Sequence, residues 1–452
     1  MKFFIQISLL LLISGPLVGQ NLQNLTLIEA IQMALQNKPR LKSFELKSQI
    51  EASKTEVLKL QRQPVVSGQL DVQLNPVLQT SVIPVGVFNP ALGSDATASV
   101  RFGTLWQNSA GIQVSQSLYD PSITAQIREQ EFQQQFIAAD REKTTEEITL
   151  EVVKAYYAIS IAMEELVFAT ADSIRASLLY EQTRTRLEGG KVLQNELNAT
   201  LMSLNAASLA LNRSRFNGQL LLKNLCYTIG ISPDRSTEIR LADDLNSFLE
   251  QARAQGLAKY DATAVEQTRP ELRQLYLDSE WQNLKIRTAQ TLTAPTLSAI
   301  GYAGANNLSD DAPFFTESSW FGNVFVGLKL SVPISEYWQE QKREAPYRLK
   351  QQQNVIDVLE LKQRFQNDFE NARLNFELAS QTMIVRLQDL ELSKQNVELV
   401  RERFNEGMVL PSNMLDEETA VQQIQYNYLR SAYDLLLAAL EIQRTLGNLS
   451  FR

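Results

Sequence analysis

Two patterns of apolar positions organise the chain. The longer segments repeat apolar residues at alternating spacings of four and three, which is the pattern of a helix in a coiled coil. It predicts unbroken helices from Pro121 to about Glu188 and from about Tyr337 to Asn405, each about 100 Å long. The two stripes are Ile148, Val152, Ala155, Ile159, Ala162 and Leu166, and Phe365, Phe369, Ala372, Phe376, Ala379 and Met383.

Four shorter segments alternate apolar and polar residues, which predicts β-strands with one apolar face. They lie at about 65–75, 110–119, 296–304 and 323–334, and the third is the weakest because small residues occupy both faces. Strands of about 9–11 residues suit a tilted crossing of a membrane. The apolar faces comprise Val66, Leu70, Val72 and Leu74; Ile112, Val114 and Leu118; and Val324, Val326, Leu328, Leu330, Val332 and Ile334.

Aromatic residues cluster beside these strands, as they do at membrane interfaces: Phe102, Trp106, Phe314, Phe315, Trp320 and Phe321. The alternative is a set of soluble hairpins, each with one buried face. Four strands beside very long helices in one exported chain favour membrane strands. Four strands cannot close a barrel, and open sheet edges are not tolerated in lipid. Several copies must therefore pool their strands, and this argument leaves dimer, trimer or larger assemblies open.

The chain carries an internal repeat. Pro39 and Pro64 match Pro270 and Pro295 at an offset of 231, whereas two glycines later in each half match at an offset of 217: Gly190 with Gly407, and Gly230 with Gly447. Repeats are therefore expected at 21–244 and 245–452, the first with 14 extra residues between Pro64 and Gly190. Each has a helix (Leu25 to Gln63, and Arg269 to Leu292), two strands joined by an exposed loop (about 76–108 and 305–321), a long helix, a glycine turn near 190 or 407, and a final helix.

The N-terminus predicts export. Lys2 and a short apolar run before Gly19 are typical of a secretory signal peptide over residues 1–20, with a retained anchor as the alternative. The chain has no histidine, and Cys226 is its only cysteine, which excludes histidine-dependent catalysis, histidine-ligated metal and an intrachain disulfide. The net charge of −8 argues against a nucleic-acid partner. We expect no cofactor and no enzymatic activity.

Two segments carry a resemblance to a known family. They are "VSQSLYDPSITAQIREQEFQQQ" from Val114 and "LSVPISEYWQEQKREAPYRLKQQQ" from Leu330. With the duplicated order of strands and long helices, they resemble the strand-to-helix motif of the TolC-like outer-membrane efflux proteins. The chain departs from that motif at Tyr119, Asp120 and Pro121, and at the residues from Ser335 that follow Pro333. Asp120 or Ser335 could cap the long helix, with Pro121 in its first turn.

The resemblance implies a mixed α and β membrane protein that forms a homotrimer in the outer membrane of a Gram-negative bacterium. Three chains would supply a 12-stranded barrel and a periplasmic tunnel of long helices. The family's channels are not enzymes. They conduct substrates passively, in efflux or type I secretion, from an inner-membrane pump through a periplasmic adaptor protein.

The resemblance also implies a gate at the periplasmic tip, where family members place acidic residues about six and nine positions after the tip glycine. Counted from Gly407 these positions are Asn413 and Asp416, and six after Gly190 is Glu196. Three copies of Asp416 around a narrow axis would favour cations. An acidic residue near a helix N-terminus, stabilised by the helix dipole, is the simpler interpretation of Asp416. Asn413 could instead help the chain to enter the helix.

Two other classes of function remain open at this point. A secreted or periplasmic coiled-coil scaffold would need the helices but no apolar strand face. An exported hydrolase that uses paired carboxylates would need a compact cleft, which long helices do not offer.

Overall fold

The structure is a computed structural model, and it describes residues 24–84, 97–256, 259–310 and 320–449. The predicted signal peptide, and Phe314 and Phe315, lie outside the described residues. The chain divides into two compact units. The first combines Met1–Lys42, Arg141–Pro270 and Leu361–Arg452, and the second combines Ser43–Asp140 and Glu271–Glu360. Each unit thus draws on both expected repeats, whose boundaries remain a prediction.

The described elements follow one another in two similar series. The first series is α1 (Leu27–Asn37), α2 (Pro39–Leu60), β1 (Val65–Leu74), β2 (Gln79–Pro84), β3 (Thr97–Phe102), β4 (Trp106–Tyr119), α3 (Pro121–Glu188), α4 (Gln194–Thr228) and a short 3₁₀ helix (Pro233–Glu238). The second is α5 (Leu245–Gln255), α6 (Ala262–Thr268), α7 (Pro270–Thr291), β5 (Thr296–Ser309), β6 (Trp320–Ser331), α8 (Ile334–Asn405) and α9 (Pro411–Thr445).

The second unit is built on a four-stranded antiparallel sheet in the order β1-β4-β5-β6. Its register aligns the apolar positions of neighbouring strands, since Val66 lies opposite Val114, Val114 opposite Gly301 and Gly301 opposite Val326. One face is therefore apolar and exposed, with Leu70, Val72, Val324, Leu328 and Leu330 among its members. The expected face of β4 is correct for Ile112 and Val114, whereas Leu118 falls at an irregularity between Ser117 and Tyr119.

The opposite face of this sheet is polar. Gln69 Nε2 donates to Gln113 Oε1 at 2.8 Å, and Ser109 Oγ donates to Asp71 Oδ2 at 3.1 Å. The small residues of β4 and β5, which weakened the sequence signal, make room here for the Tyr302 ring. A Cβ atom added to Gly111 or Gly304 would lie 2.5 Å from Tyr302 Oη.

Three expectations about loops and strand ends need correction. The segment 76–108, expected to be an exposed loop, contains the antiparallel pair β2 and β3. The second loop is shorter than expected, because β5 continues to Ser309 and β6 begins at Trp320. β6 also ends at Ser331, before the expected 334, because Pro333 has no N–H to donate to a sheet.

The junctions between strand and long helix differ in their caps. Asp120 caps α3, because its Oδ1 accepts from Ser122 N at 2.9 Å and from Ser122 Oγ at 2.6 Å, and Pro121 is the first helical residue. Ser335, the other possible cap, already lies inside the first turn, because α8 begins at Ile334 and Pro333 precedes the helix. Tyr119 is exposed beside the junction.

The expected helix from Leu25 to Gln63 is two helices. Lys38 adopts an extended conformation between α1 and α2, and Arg269 does the same between α6 and α7. Each of these residues precedes a proline, and the proline ring disfavours the helical conformation of the residue before it. The expectation of one helix from Arg269 to Leu292 fits α7, whereas α5 and α6 escaped the sequence reasoning.

The first unit is a set of helices packed along heptad stripes. Leu179 of α3, Val397 and Phe404 of α8, and Met414 and Val421 of α9 form one buried cluster. Seven-residue spacing continues this pattern along both helices of the second half: Met383, Leu390, Val397 and Phe404 on α8, and Met414, Val421, Tyr428, Leu435 and Ile442 on α9 are all buried. Cys226 is also buried, as its apolar surroundings predict, and burial raises the pKa of its thiol.

Candidate functional site

The two glycine turns close their helices in the same way. Gly190, after α3, has φ +70°, and Gly407, after α8, has φ +77°. In the first turn Lys191 N donates to Arg186 O at 2.8 Å, and in the second Met408 N donates to Arg403 O at 2.8 Å. This is the Schellman arrangement, which requires the left-handed conformation that glycine adopts without strain. A side chain at either position would carry a backbone penalty even though the space around it is open.

Asn413 takes part in the N-terminus of α9. Its Oδ1 accepts a hydrogen bond from Leu410 N at 3.3 Å, the interaction that a residue at the third helical position makes in a capping box. Asn413 thus helps the chain to enter α9, which is the local role that the sequence left open for it. Its side chain is exposed.

Glu196 bonds to the other turn. It lies in the first turn of α4, and its Oε2 accepts from Ser412 N, in the first turn of α9, at 3.2 Å. A carboxylate at this place satisfies one free N–H of α9 and interacts favourably with the positive end of its dipole. Glu196 therefore joins the first tip to the second.

Asp416 is the third gate candidate. Its side chain is exposed on α9, and no hydrogen bond or ion pair involves it in the part of the chain that the structure describes. It lies three positions after Asn413, on the same side of the helix. Its carboxylate is thus free of intrachain partners, unlike that of Glu196.

The sequence reasoning missed a buried ion-pair network beside these residues. Glu418 is 7 % exposed, and its Oε2 lies 2.8 Å from Arg175 Nε of α3, while its Oε1 lies 3.4 Å from Arg401 Nη2 of α8. Arg175 also pairs with Asp172, one turn away on α3. A signal for it was present: Glu418 falls between Met414 and Val421 on the apolar stripe of α9, where a carboxylate needs a partner.

The network holds one carboxyl group in an unusual state. Burial raises the pKa of Asp172 to about 6, and the negative charge of Glu418 acts in the same direction, whereas Arg175 and a hydrogen bond from Gln425 oppose the shift. The folded network therefore disfavours the charged form of Asp172, which loses its proton only near pH 6.

A further contact joins the ends of the two long helices. The Arg186 guanidinium lies over the Phe404 ring, with its central carbon 3.7 Å from the ring centroid, and it also donates to the Phe404 carbonyl oxygen. Phe404 is 1 % exposed. The turns beyond these residues expose apolar side chains, since Leu193 is 71 % and Met408 70 % exposed, with Leu410 also exposed. The tips are thus fixed from within, and each exposes some apolar side chains among polar ones.

The described residues offer neither a metal-binding cluster nor a membrane helix. No group of three or more histidine, cysteine, aspartate or glutamate side chains within them is placed to hold a metal ion. None of the helices in the described ranges is long and apolar enough to cross a membrane.

Comparisons with known proteins agree on the fold. No family model matches the chain. Outer membrane protein TolC of Vibrio cholerae is 23 % identical over 370 residues, which cover 76 % of this chain and 77 % of that protein. Two solved structures are similar: the CmeC outer membrane channel of Campylobacter jejuni, with TM-score 0.65, 15 % identity and coverage of 93 % of this chain and 85 % of that one, and the outer membrane protein VceC of Vibrio cholerae, with TM-score 0.66, 12 % identity and coverage of 93 % and 96 %.

Proposed function

We propose that the chain, as a relative of the TolC-like outer-membrane efflux proteins, is an outer-membrane channel. In this proposal it is the passive exit duct of a tripartite efflux or type I secretion system. An inner-membrane pump supplies the energy, and a periplasmic adaptor joins the pump to the duct. The resemblance carried by the sequence motifs is confirmed by the similarity to TolC and to the solved channel structures.

The exposed apolar face of the four-stranded sheet carries the proposal. Val66, Val326 and Leu330 are more than half exposed on this face, whereas glutamines and the Asp71–Ser109 hydrogen bond lie on the other. A soluble protein would cover such a face, because contiguous exposed apolar surface favours association. Lipid against the apolar face and water against the polar face would suit both faces of the sheet.

The sheet edges support an assembly of several copies. β1 and β6 lie at the two edges, and each has one side without a partner strand in the described chain. Edge N–H and C=O groups in lipid cost several kcal/mol each when they lack a hydrogen bond. Pairing β1 of one copy with β6 of the next would satisfy both edges. Three copies, the number that the resemblance implies, would give 12 strands and a tunnel of long helices.

The helical tips support contact with a partner and a restriction of the tunnel. The exposed Leu193, Met408 and Leu410 offer apolar contacts to a periplasmic adaptor. Asp416, exposed and without a partner among the described residues, is the proposed gate residue, and three copies of it would attract cations and repel anions. Glu196 and Asn413 act mainly as helix caps in this proposal.

Membrane fractionation tests the proposal against a secreted coiled-coil scaffold. We expect the protein in the outer-membrane fraction, and an unheated gel band near three times the 51.0 kDa chain mass that collapses on heating. Val326→Asp should abolish insertion, because it places a charge on the lipid face near the middle of the bilayer in every copy of the assembly. Asn323→Asp, on the polar face, is the matched control and should insert. Recovery of the wild-type protein from the soluble periplasm would favour the scaffold.

A further inference from the structure

The second unit contains a basic cavity at the junction of β4 with the helices. Its volume is about 590 Å³, and Arg62, Arg128 and Arg287 line it together with Asp120. The arginines come from three different places in the sequence: the segment after α2, the second turn of α3 and the last part of α7. The fold thus gathers three positive charges around one carboxylate.

Within the described ranges, the three arginines form no ion pair with a carboxylate. Arg62 Nη2 donates to the Thr124 hydroxyl at 2.9 Å. Asp120 already accepts two hydrogen bonds from Ser122 as the cap of α3. Convergent arginines without a carboxylate partner in the described chain favour an anion from outside it.

The helix that begins at the cavity adds to its positive potential. α3 starts at Pro121, and Ile123 and Thr124 of its first turn line the cavity. Free N–H groups and the positive end of the dipole at a helix N-terminus bind phosphate and sulfate groups. Arginine donates two parallel hydrogen bonds to such oxygens, so three arginines can address one tetrahedral group from several sides.

We propose that this cavity binds a phosphoryl group, held by Arg62, Arg128 and Arg287. The group could belong to a phospholipid headgroup or to free phosphate. The cavity adjoins the end of β4, beside the exposed apolar face of the sheet, so the lipid source rests on the proposed membrane location. Binding of free phosphate does not depend on that location or on channel activity.

The full-length protein, purified in a neutral detergent and stripped of lipid, allows a direct test. Its melting temperature is followed by circular dichroism after addition of phosphatidylglycerol, of diacylglycerol with the same acyl chains, or of sodium phosphate against sodium chloride at equal ionic strength. A phosphoryl probe at about ten times its Kd should raise the melting temperature by about 2 °C. Diacylglycerol should not. A rise with phosphatidylglycerol alone identifies the lipid headgroup as the source, and a rise with both probes shows that free phosphate suffices.

Variants locate the effect. Arg62→Gln, Arg128→Gln and Arg287→Gln together should remove the rise, whereas the control triple Arg213→Gln, Arg215→Gln and Arg430→Gln, on exposed positions of α4 and α9, should keep it. If the variant with all three cavity substitutions does not fold, the single variant Arg287→Gln should need severalfold more phosphate than the wild type for the same rise in melting temperature. No rise with either phosphoryl probe, an equal rise with diacylglycerol, or an undiminished rise in the cavity variants would overturn the proposal and leave the channel function untouched.

Discussion

Glu418 of α9, which is buried, and Arg175 of α3, which is half-buried, form an ion pair with 2.8 Å between Oε2 and Nε. Arg401 of α8 holds the second oxygen of Glu418, so one carboxylate connects three helices. This connection lies only two positions after Asp416. A movement that displaces Asp416 must therefore either carry the Glu418–Arg175 pair with it or break that pair.

Loss of the Glu418 charge should destabilise the helical unit. Glu418→Gln leaves Arg175 with Asp172 alone and Arg401 with Glu398, so we expect a loss of about 2 kcal/mol or more in the free energy of unfolding, somewhat less than for a fully orphaned buried charge. Denaturant unfolding followed by circular dichroism measures it. The control is Arg184→Gln, which removes an exposed pair with Glu181 and should cost below about 1 kcal/mol. Equal losses for the two variants would contradict the buried character of the network.

The stability of the protein should depend on Asp172 between about pH 4 and pH 6. Because burial raises the pKa of Asp172 from 3.8 to about 6, the folded chain holds a proton in this range that the unfolded chain has released. This group therefore makes the folded protein less stable as the pH rises through the range, by an amount on the order of 2 kcal/mol. Asp172→Asn cannot titrate, so its loss of stability from pH 4 to pH 7 should be smaller than that of the wild type. An identical pH dependence would show that Asp172 titrates normally.

Glu196 should behave as a helix cap. Glu196→Ala removes the acceptor for Ser412 N and should cost about 0.5–2 kcal/mol. Glu196→Gln keeps an acceptor oxygen without the charge and should cost less. A gate role predicts the reverse pattern, with changed ion selectivity in both variants and little change in melting temperature. Thermal unfolding and bilayer recordings of the same two variants separate these possibilities.

The periodic parts of the fold were predictable from the sequence. The four-three stripe placed α3 and α8 to within a few residues, because burial of Ile148, Val152, Phe369 and Met383 is repeated at every turn of a long helix. Alternation placed β1, β4 and β6 for the same reason, since one face of each strand has a single environment, whereas it indicated β5 only weakly because small residues occupy both of its faces. Where all apolar residues of a periodic pattern share one environment, the pattern alone predicts the helix or strand.

Single contacts between distant residues were not predictable in this way. The partner of Glu418 lies 243 positions away, so no local spacing reveals it, although its place on an apolar stripe indicated that a partner was needed. Arg62, Arg128 and Arg287 meet only once the fold is known. The hairpin of β2 and β3 was missed because its strands of six residues are too short for a clear alternation.

Asp416 should affect the selectivity of the channel. Asp416→Ala removes an exposed charge that has no partner among the described residues, so stability should change little while cation selectivity, or block by divalent cations, falls. Glu417→Ala is the matched control, because one residue further along a helix is rotated by about 100°. Reversal potentials in salt gradients measure the difference. If both variants retain wild-type selectivity as folded proteins, Asp416 is only an acidic residue near the start of α9.

Conductance of the purified wild-type protein in a planar lipid bilayer tests the central claim most directly. A channel whose strands pool into a closed barrel should insert spontaneously and produce discrete current steps of uniform size, with Val326→Asp protein giving none. Absence of conductance from folded protein that is presented to the bilayer from detergent would contradict the channel function. A coiled-coil scaffold would then be the better description.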